Sequence, residues 1–249
     1  MNARIHRLLP FALVLLATGC AALPAGKTDP RDRFERFNRS VFSFNQGLDR
    51  HVAQPVARTY VKVTPAPVRS GVSNFFANLG YPVVIVNDVL QAKPLPFAKD
   101  AARFAVNTTI GIGGLFDPAS RIGLDSNNED FGQTLGYWGI PTGPYLVLPV
   151  LGPSNARDLV GRVGDHFSQP TSYSRNDELV WGLRAGGLVE ARAATLDATD
   201  IMNRAFDPYA FMRNAYLQRR NFLVHDGNPP EDETPAEADE TEDDSSAKK

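Results

Sequence analysis

The stretch FGQTLGYWGIPTGPYLVLPVLGPSNARD, residues 131–158, decides how the rest of the chain is read. Five Gly and four Pro among these 28 residues exclude regular helix across most of it, because helix interiors lose about 1 kcal/mol at each Gly and about 3 at each Pro. Yet Leu135, Tyr137, Trp138, Ile140, Tyr145, Leu146, Val147 and Leu148 are too apolar and too closely set for a loop in water. The segment must therefore lie against protein or against acyl chains. Gly143-Pro144, flanked by YWGI and YLVL, predicts the tip of a hairpin with apolar arms. Gly136, Gly139 and Gly143 would give such a hairpin freedom to bend.

On both sides the chain reads as amphipathic helix. In DPRDRFERFNRSVFSFNQGLDRHVAQPV, Asp29 is the expected N-cap and Pro30 the first helical residue. Phe34, Phe37, Val41, Phe44 and Leu48 fall on one stripe, which suits a core-facing helix or, with Arg and Asn opposite, a helix lying in a membrane interface. Residues 67–79 and 82–91 read as two short helices, each opened by a Pro. The second is apolar almost all round and would also suit a buried strand, but its neighbours are helical and no partner strand is evident. In residues 96–109, Phe97, Ala101, Phe104 and Ala105 share a face, with Lys99, Asp100 and Arg103 on the far side. Helical patterns return at 155–168, 177–195 and 207–223. Gly182, Gly186 and Gly187 in the second of these permit close helix contact, within the fold or against another membrane protein.

The two ends point to an address. MNARIHRLLPFALVLLATGC has a basic start, a short apolar run and small residues before Cys20, the layout of a secretory signal. Leu16-Ala17-Thr18-Gly19-Cys20 resembles a bacterial lipobox, so residues 1–19 are the expected signal peptide, Cys20 the expected lipidation site and 20–28 a linker. Cys20 is the single Cys of the chain, which rules out an internal disulfide. Ala21 follows it, where many inner-membrane lipoproteins carry Asp, so the inner leaflet of the outer membrane is the expected location. Residues 228–249, rich in acids and without aromatic or branched aliphatic side chains, are expected to form a disordered tail. The chain between signal and tail is near neutral, which does not suggest a nucleic-acid binder.

Chemistry is sparse. His51, His166 and His225 are isolated, and neither a metalloprotease motif nor a nucleophile elbow occurs. The glycines of IGIGGLFDPAS lack the Lys and spacing of a phosphate loop, and they fit a helix end followed by a tight bend. Asp117, Asp125, Glu129 and Asp130 stand in settings typical of turns and caps. No enzyme, metal site or cofactor is expected.

The opening segment, together with FERFNRSVFSFNQGLD, PVVIVNDVLQ and DPYAFMRNAYLQRRNF, resembles the MlaA (VacJ) family of outer-membrane lipoproteins across residues 29–227. The resemblance implies a mainly α fold: a ring-like bundle of amphipathic helices carrying a Gly/Pro-rich apolar hairpin. It implies a central channel through which misplaced phospholipid leaves the outer leaflet, a trimeric porin as neighbour and a periplasmic lipid carrier of the MlaC type as recipient, so that lipid asymmetry is kept. Phe131, Leu135, Gly136, Tyr137, Trp138, Gly139, Gly143, Tyr145 and Leu148 are then the candidate channel wall and gate. The stripe from Phe34 to Leu48 is the candidate interfacial helix, and Gly182, Gly186 and Gly187 the candidate porin contact. The alternative is a lipoprotein that braces porins without moving lipid.

Overall fold

The computed structural model describes residues 29–230; the signal, Cys20 and residues 231–249 lie outside them. The first helix, α1 (Glu35–Leu48), starts five residues later than its cap signal suggests. Asp29 is occupied elsewhere, accepting the Arg31 amide at 2.9 Å and the Arg31 guanidinium at 2.7 Å. A π-helical turn, Asp49–Ala53, joins α1 to α2 (Gln54–Val63).

A single helix, α3 (Ala66–Leu90), replaces the two expected on either side of Pro82. Tyr81, Val83 and Val84 are buried, and α3 packs on four other helices. That contact outweighs the roughly 3 kcal/mol that an interior Pro costs. Next come α4 (Pro94–Thr109), the short α5 (Pro118–Arg121) and α6 (Phe131–Tyr137). Asp117 caps α5 and Asp130 caps α6 through their carboxylates. The Gly-rich run between α4 and α5 is the expected bend, with Gly113 and Gly114 at positive φ.

The hairpin exists, but not where the Gly-Pro pair placed it. Its arms are β1 (Tyr145–Leu148) and β2 (Gly152–Asn155), antiparallel, with Tyr145 opposite Asn155 and Leu148 opposite Gly152. The tip is therefore Pro149-Val150-Leu151, with Val150 and Gly152 at φ 67° and 78°. YWGI is the end of α6 and its exit turn, in which the Ile140 amide returns to the Leu135 carbonyl. Gly139 and Gly143, both at positive φ, bend the chain into β1 rather than forming the tip. Helices α7 (Ala156–Ser168), α8 (Asp177–Ala194) and α10 (Pro208–Val224) lie near the bounds their periodicity predicts, and α9 (Leu196–Arg204), which no expected pattern covers, links the last two.

Contacts close a circuit. α1 packs on β1, β2 on α7, α7 on α3, α3 on α8, α8 on α2, and α2 returns through the π turn to α1. Its interior is polar. Asp88, Asp100, Arg103, Asn107, Asp158 and Arg220 are all buried, while Leu95, Ile110, Ile112, Phe116, Ile122 and Phe206 are exposed. In α4 the expected faces are partly exchanged: Asp100 and Arg103, expected outside, are buried and Phe97 is exposed, while Lys99 stays exposed and Phe104 is half-buried. Against its burial, the Asp117 carboxyl is held down at about 2 by hydrogen bonds from the Ser120 hydroxyl at 2.6 Å, the Arg103 guanidinium at 2.7 Å and the Asn107 amide at 3.0 Å. Periodicity separates a helix's two faces without saying which faces in. Among the described residues no helix is long and apolar enough to cross a membrane.

Candidate functional site

The hairpin is held by side chains rather than by a third strand. Asn38 and Asn45, seven residues apart on α1 and so on one face, each bridge two backbone groups of the hairpin, Asn38 within β1 and Asn45 from the end of β1 to the tip. Asn38 Nδ2 donates to the Tyr145 carbonyl at 3.0 Å, and Asn38 Oδ1 accepts the Val147 amide at 2.9 Å. Asn45 does the same one step along, donating to the Leu148 carbonyl at 2.9 Å and accepting the Val150 amide at 2.8 Å. Behind this ladder lies a small apolar core of Val41, Tyr145, Val147 and Tyr209, with Phe42, Met212, Tyr216 and Leu217 packed on it. Burial raises the pKa of the Tyr209 and Tyr216 phenols and so opposes their ionisation, and the Asp32 and Asp158 carboxylates they donate to add to it.

The other flank of the hairpin rests on a buried charge cluster. Arg220 of α10 donates to Asp130 at 2.6 and 3.0 Å and to Asp158 at 2.8 Å, tying the cap of α6 to the first turn of α7. Burial opposes charge on Arg220 and Asp130, yet each holds the other ionised. Arg157 and Asp158, at the end of the opening segment, are both buried here. Asp158 is held by the cap residue Asn155, whose Nδ2 donates to it at 2.7 Å.

Between α1, the hairpin and the last helices opens a cavity of about 520 Å3, within the roughly 300–1,000 Å3 usual for ligand sites. Phe42, Val147, Val150, Leu151, Leu188 and Met202 form its apolar wall. Asn45, Asp49, Arg50, Gln54, Arg192 and Asn203 form the polar one. The hairpin tip thus stands in the wall, with Val150 and Leu151 exposed and, among the described residues, Asn45 bonded across it. Among the described residues no group of His, Cys, Asp and Glu is placed to hold a metal ion.

The pattern of the family described as MlaA lipoprotein matches residues 30–223. The chain belongs to the MlaA lipoprotein family. It is 35% identical over 228 residues to the intermembrane phospholipid transport system lipoprotein MlaA of Escherichia coli, a match covering 88% of this chain and 89% of that one. An uncharacterized protein of Rickettsia prowazekii is 39% identical over 196 residues, covering 78% of each. A solved structure described as "Structural basis for maintenance of bacterial outer membrane lipid asymmetry" matches with a TM-score of 0.70 at 36% identity, covering 78% of this chain and 98% of that one.

Within this member of the MlaA family the residues expected at the gate are dispersed. Tyr145 is fully buried in the core, facing Asn155 across the strands, and Leu135 is buried in α6. Gly136 is used for packing: a Cβ there would meet Arg157 at 2.7 Å. Phe131 sits edge-on to Trp138, 6.0 Å between ring centroids. Tyr137 and Trp138 are half exposed at the end of α6, and Trp138 Nε1 donates to the Leu90 carbonyl at 3.2 Å. Leu148 is at the end of β1, its carbonyl held by Asn45. None of the nine lines the cavity; Val147 and the tip residues do.

On α1, Phe34, Phe37, Phe44 and Leu48 are exposed while Val41 enters the core, so the stripe is largely an outer surface. Gly186 and Gly187 face Phe76 of α3, where added Cβ atoms would lie 3.3 and 3.4 Å from its ring. Close helix contact inside the fold uses them, and Gly182 alone of the three faces open space. The Asn38–Asn45 ladder was missed because both amides look like ordinary members of a polar helix face. Their seven-residue spacing beside the apolar stripe was the available signal.

Proposed function

We propose that this chain is a lipoprotein of the outer membrane, anchored through Cys20, which takes misplaced phospholipid out of the outer leaflet and delivers it to a periplasmic carrier. The observation that carries the reading is a cavity with one apolar and one polar wall beside a hairpin, in a fold that buries Asp88, Asp100, Arg103 and Arg220 while exposing large apolar side chains such as Phe44, Ile110, Phe116 and Phe206. Such a surface is stable in the acyl region, and the cavity suits an amphiphile. The E. coli and Haemophilus influenzae relatives, both called intermembrane phospholipid transport system lipoprotein MlaA, support the same reading. A porin trimer is the proposed neighbour, with Gly182 on the open part of α8 as the one glycine still available to it.

The hairpin tip, rather than the Tyr137–Tyr145 region, is the proposed movable gate. Leu151→Cys tests it, since Cys20 is the single native Cys and is consumed by lipid in this reading. Cells carrying this variant should accumulate outer-leaflet phospholipid after treatment with a bulky porin-permeable maleimide and behave normally without it. Equal levels with and without label, in a background where deleting the whole protein raises them, would exclude the tip as a gate and favour a bracing lipoprotein.

A further inference from the structure

Charge in the cavity is concentrated where α8 meets the π turn. Arg192 grips Asp49 with two bonds, Nε to Oδ1 at 2.5 Å and Nη2 to Oδ2 at 2.9 Å, and both side chains stay partly open, at 14% and 27% exposure. Arg50 lines the same cavity and takes no ion-pair partner among the described residues. Leu188, one turn before Arg192, and Leu151 of the hairpin tip supply apolar wall. Asp49 begins the π turn, a geometry that is rare in helices and concentrated at functional sites. Two guanidiniums beside an apolar surface match the two halves of an anionic amphiphile.

We propose that Arg192, assisted by Arg50, binds the phosphate of the lipid in this cavity, and that Asp49 holds the Arg192 guanidinium until a phosphate displaces it. The proposal rests on the conduit reading above. A guanidinium fork bonds a carboxylate and a phosphodiester with the same geometry, so the Asp49 carboxylate occupies the place a phosphate would take. Exchange replaces one anion by another and never strands Arg192 unpaired, which would cost most of what binding gains. Asp49 is then a competitor of the ligand. A pair that merely stapled the π turn to α8 would have no such competitor.

The full lipidated protein, purified in detergent, should be titrated with two probes carrying the same pyrene-labelled acyl chains, one a phospholipid and one a diacylglycerol. The wild type should prefer the phospholipid by about tenfold, the scale of one charge-assisted pair. Arg192→Gln should abolish that preference while leaving diacylglycerol binding unchanged, and Asp49→Asn should tighten phospholipid binding several-fold. Opposite signs are the signature. Both variants break the same ion pair, so weakening in both would show a staple and overturn the proposal. Inorganic phosphate should compete only weakly; phosphate alone binding as tightly as the phospholipid would overturn the lipid as the ligand. Equal wild-type affinity for both probes overturns the phosphate site and leaves the conduit standing, whereas binding of neither removes the conduit reading as well.

Discussion

Asn38 and Asp88 are both fully buried, and they meet the cost of burial in opposite ways. Asn38 bonds to Asp32, the Tyr145 carbonyl and the Val147 amide, so Asn38→Ala leaves buried backbone groups unpaired. It should lower the unfolding midpoint by on the order of 5–10 °C in a detergent melt, from about 1–3 kcal/mol for each orphaned group. An unchanged midpoint would mean that water replaces the amide. Among the described residues neither oxygen of Asp88 accepts a hydrogen bond. Its burial, reinforced by the nearby Asp100 and Glu129 carboxylates and opposed by Lys93, pushes its carboxyl from 3.8 up to about 7. The folded chain thus holds this proton more tightly than the unfolded one. The stability it brings is complete below about pH 4 and is lost as pH rises toward 7. Asp88→Asn should remove that part of the pH dependence, raising the midpoint relative to wild type more at pH 8 than at pH 5. The same pH slope in both proteins would show that Asp88 is already ionised in the fold.

Helices α6 and α7 are joined by two glycines that leave no room between them. A Cβ on Gly161 would stand 2.4 Å from the Gly132 nitrogen, against backbone that cannot swing aside. Gly161→Ala should therefore destabilise by more than about 2 kcal/mol or prevent folding. Gly182→Ala, facing open space, should leave stability unchanged or raise it by up to about 1 kcal/mol. Melting both variants side by side checks the contrast, and similar melts would sink it. At this scale the sequence was most legible for helices with long apolar stripes, such as α7, α8 and α10. It misled at Pro82, where tertiary contact overrode a strong breaker. It misled again at Gly143-Pro144, because strand register follows from pairing between Tyr145 and Asn155, which a local turn signal does not record.

The molecule exposes many large apolar side chains while it buries Asp88, Asp100, Arg103 and Arg220, so part of its surface should bind lipid without help from the proposed anchor. A version beginning at Ala21 should co-float with phospholipid vesicles through Phe34, Phe37, Phe44 and the exposed residues around Ile110, and Phe37→Ser with Phe44→Ser should reduce the bound fraction several-fold. Recovery of the chain in the lipid-free fraction would refute the orientation. The family was legible from four short motifs, whereas the cavity was not. Its wall draws on α1, the π turn, the hairpin, α8, α9 and α10, elements far apart in the chain, and its charged pair joins residues 143 positions apart. This apolar surface also bears on how the chain reaches its destination. A protein that exposes Ile110, Phe116 and Phe206 to water would self-associate in any aqueous compartment it traversed. On the reading proposed above, transit to the outer membrane would need these side chains covered until lipid takes over.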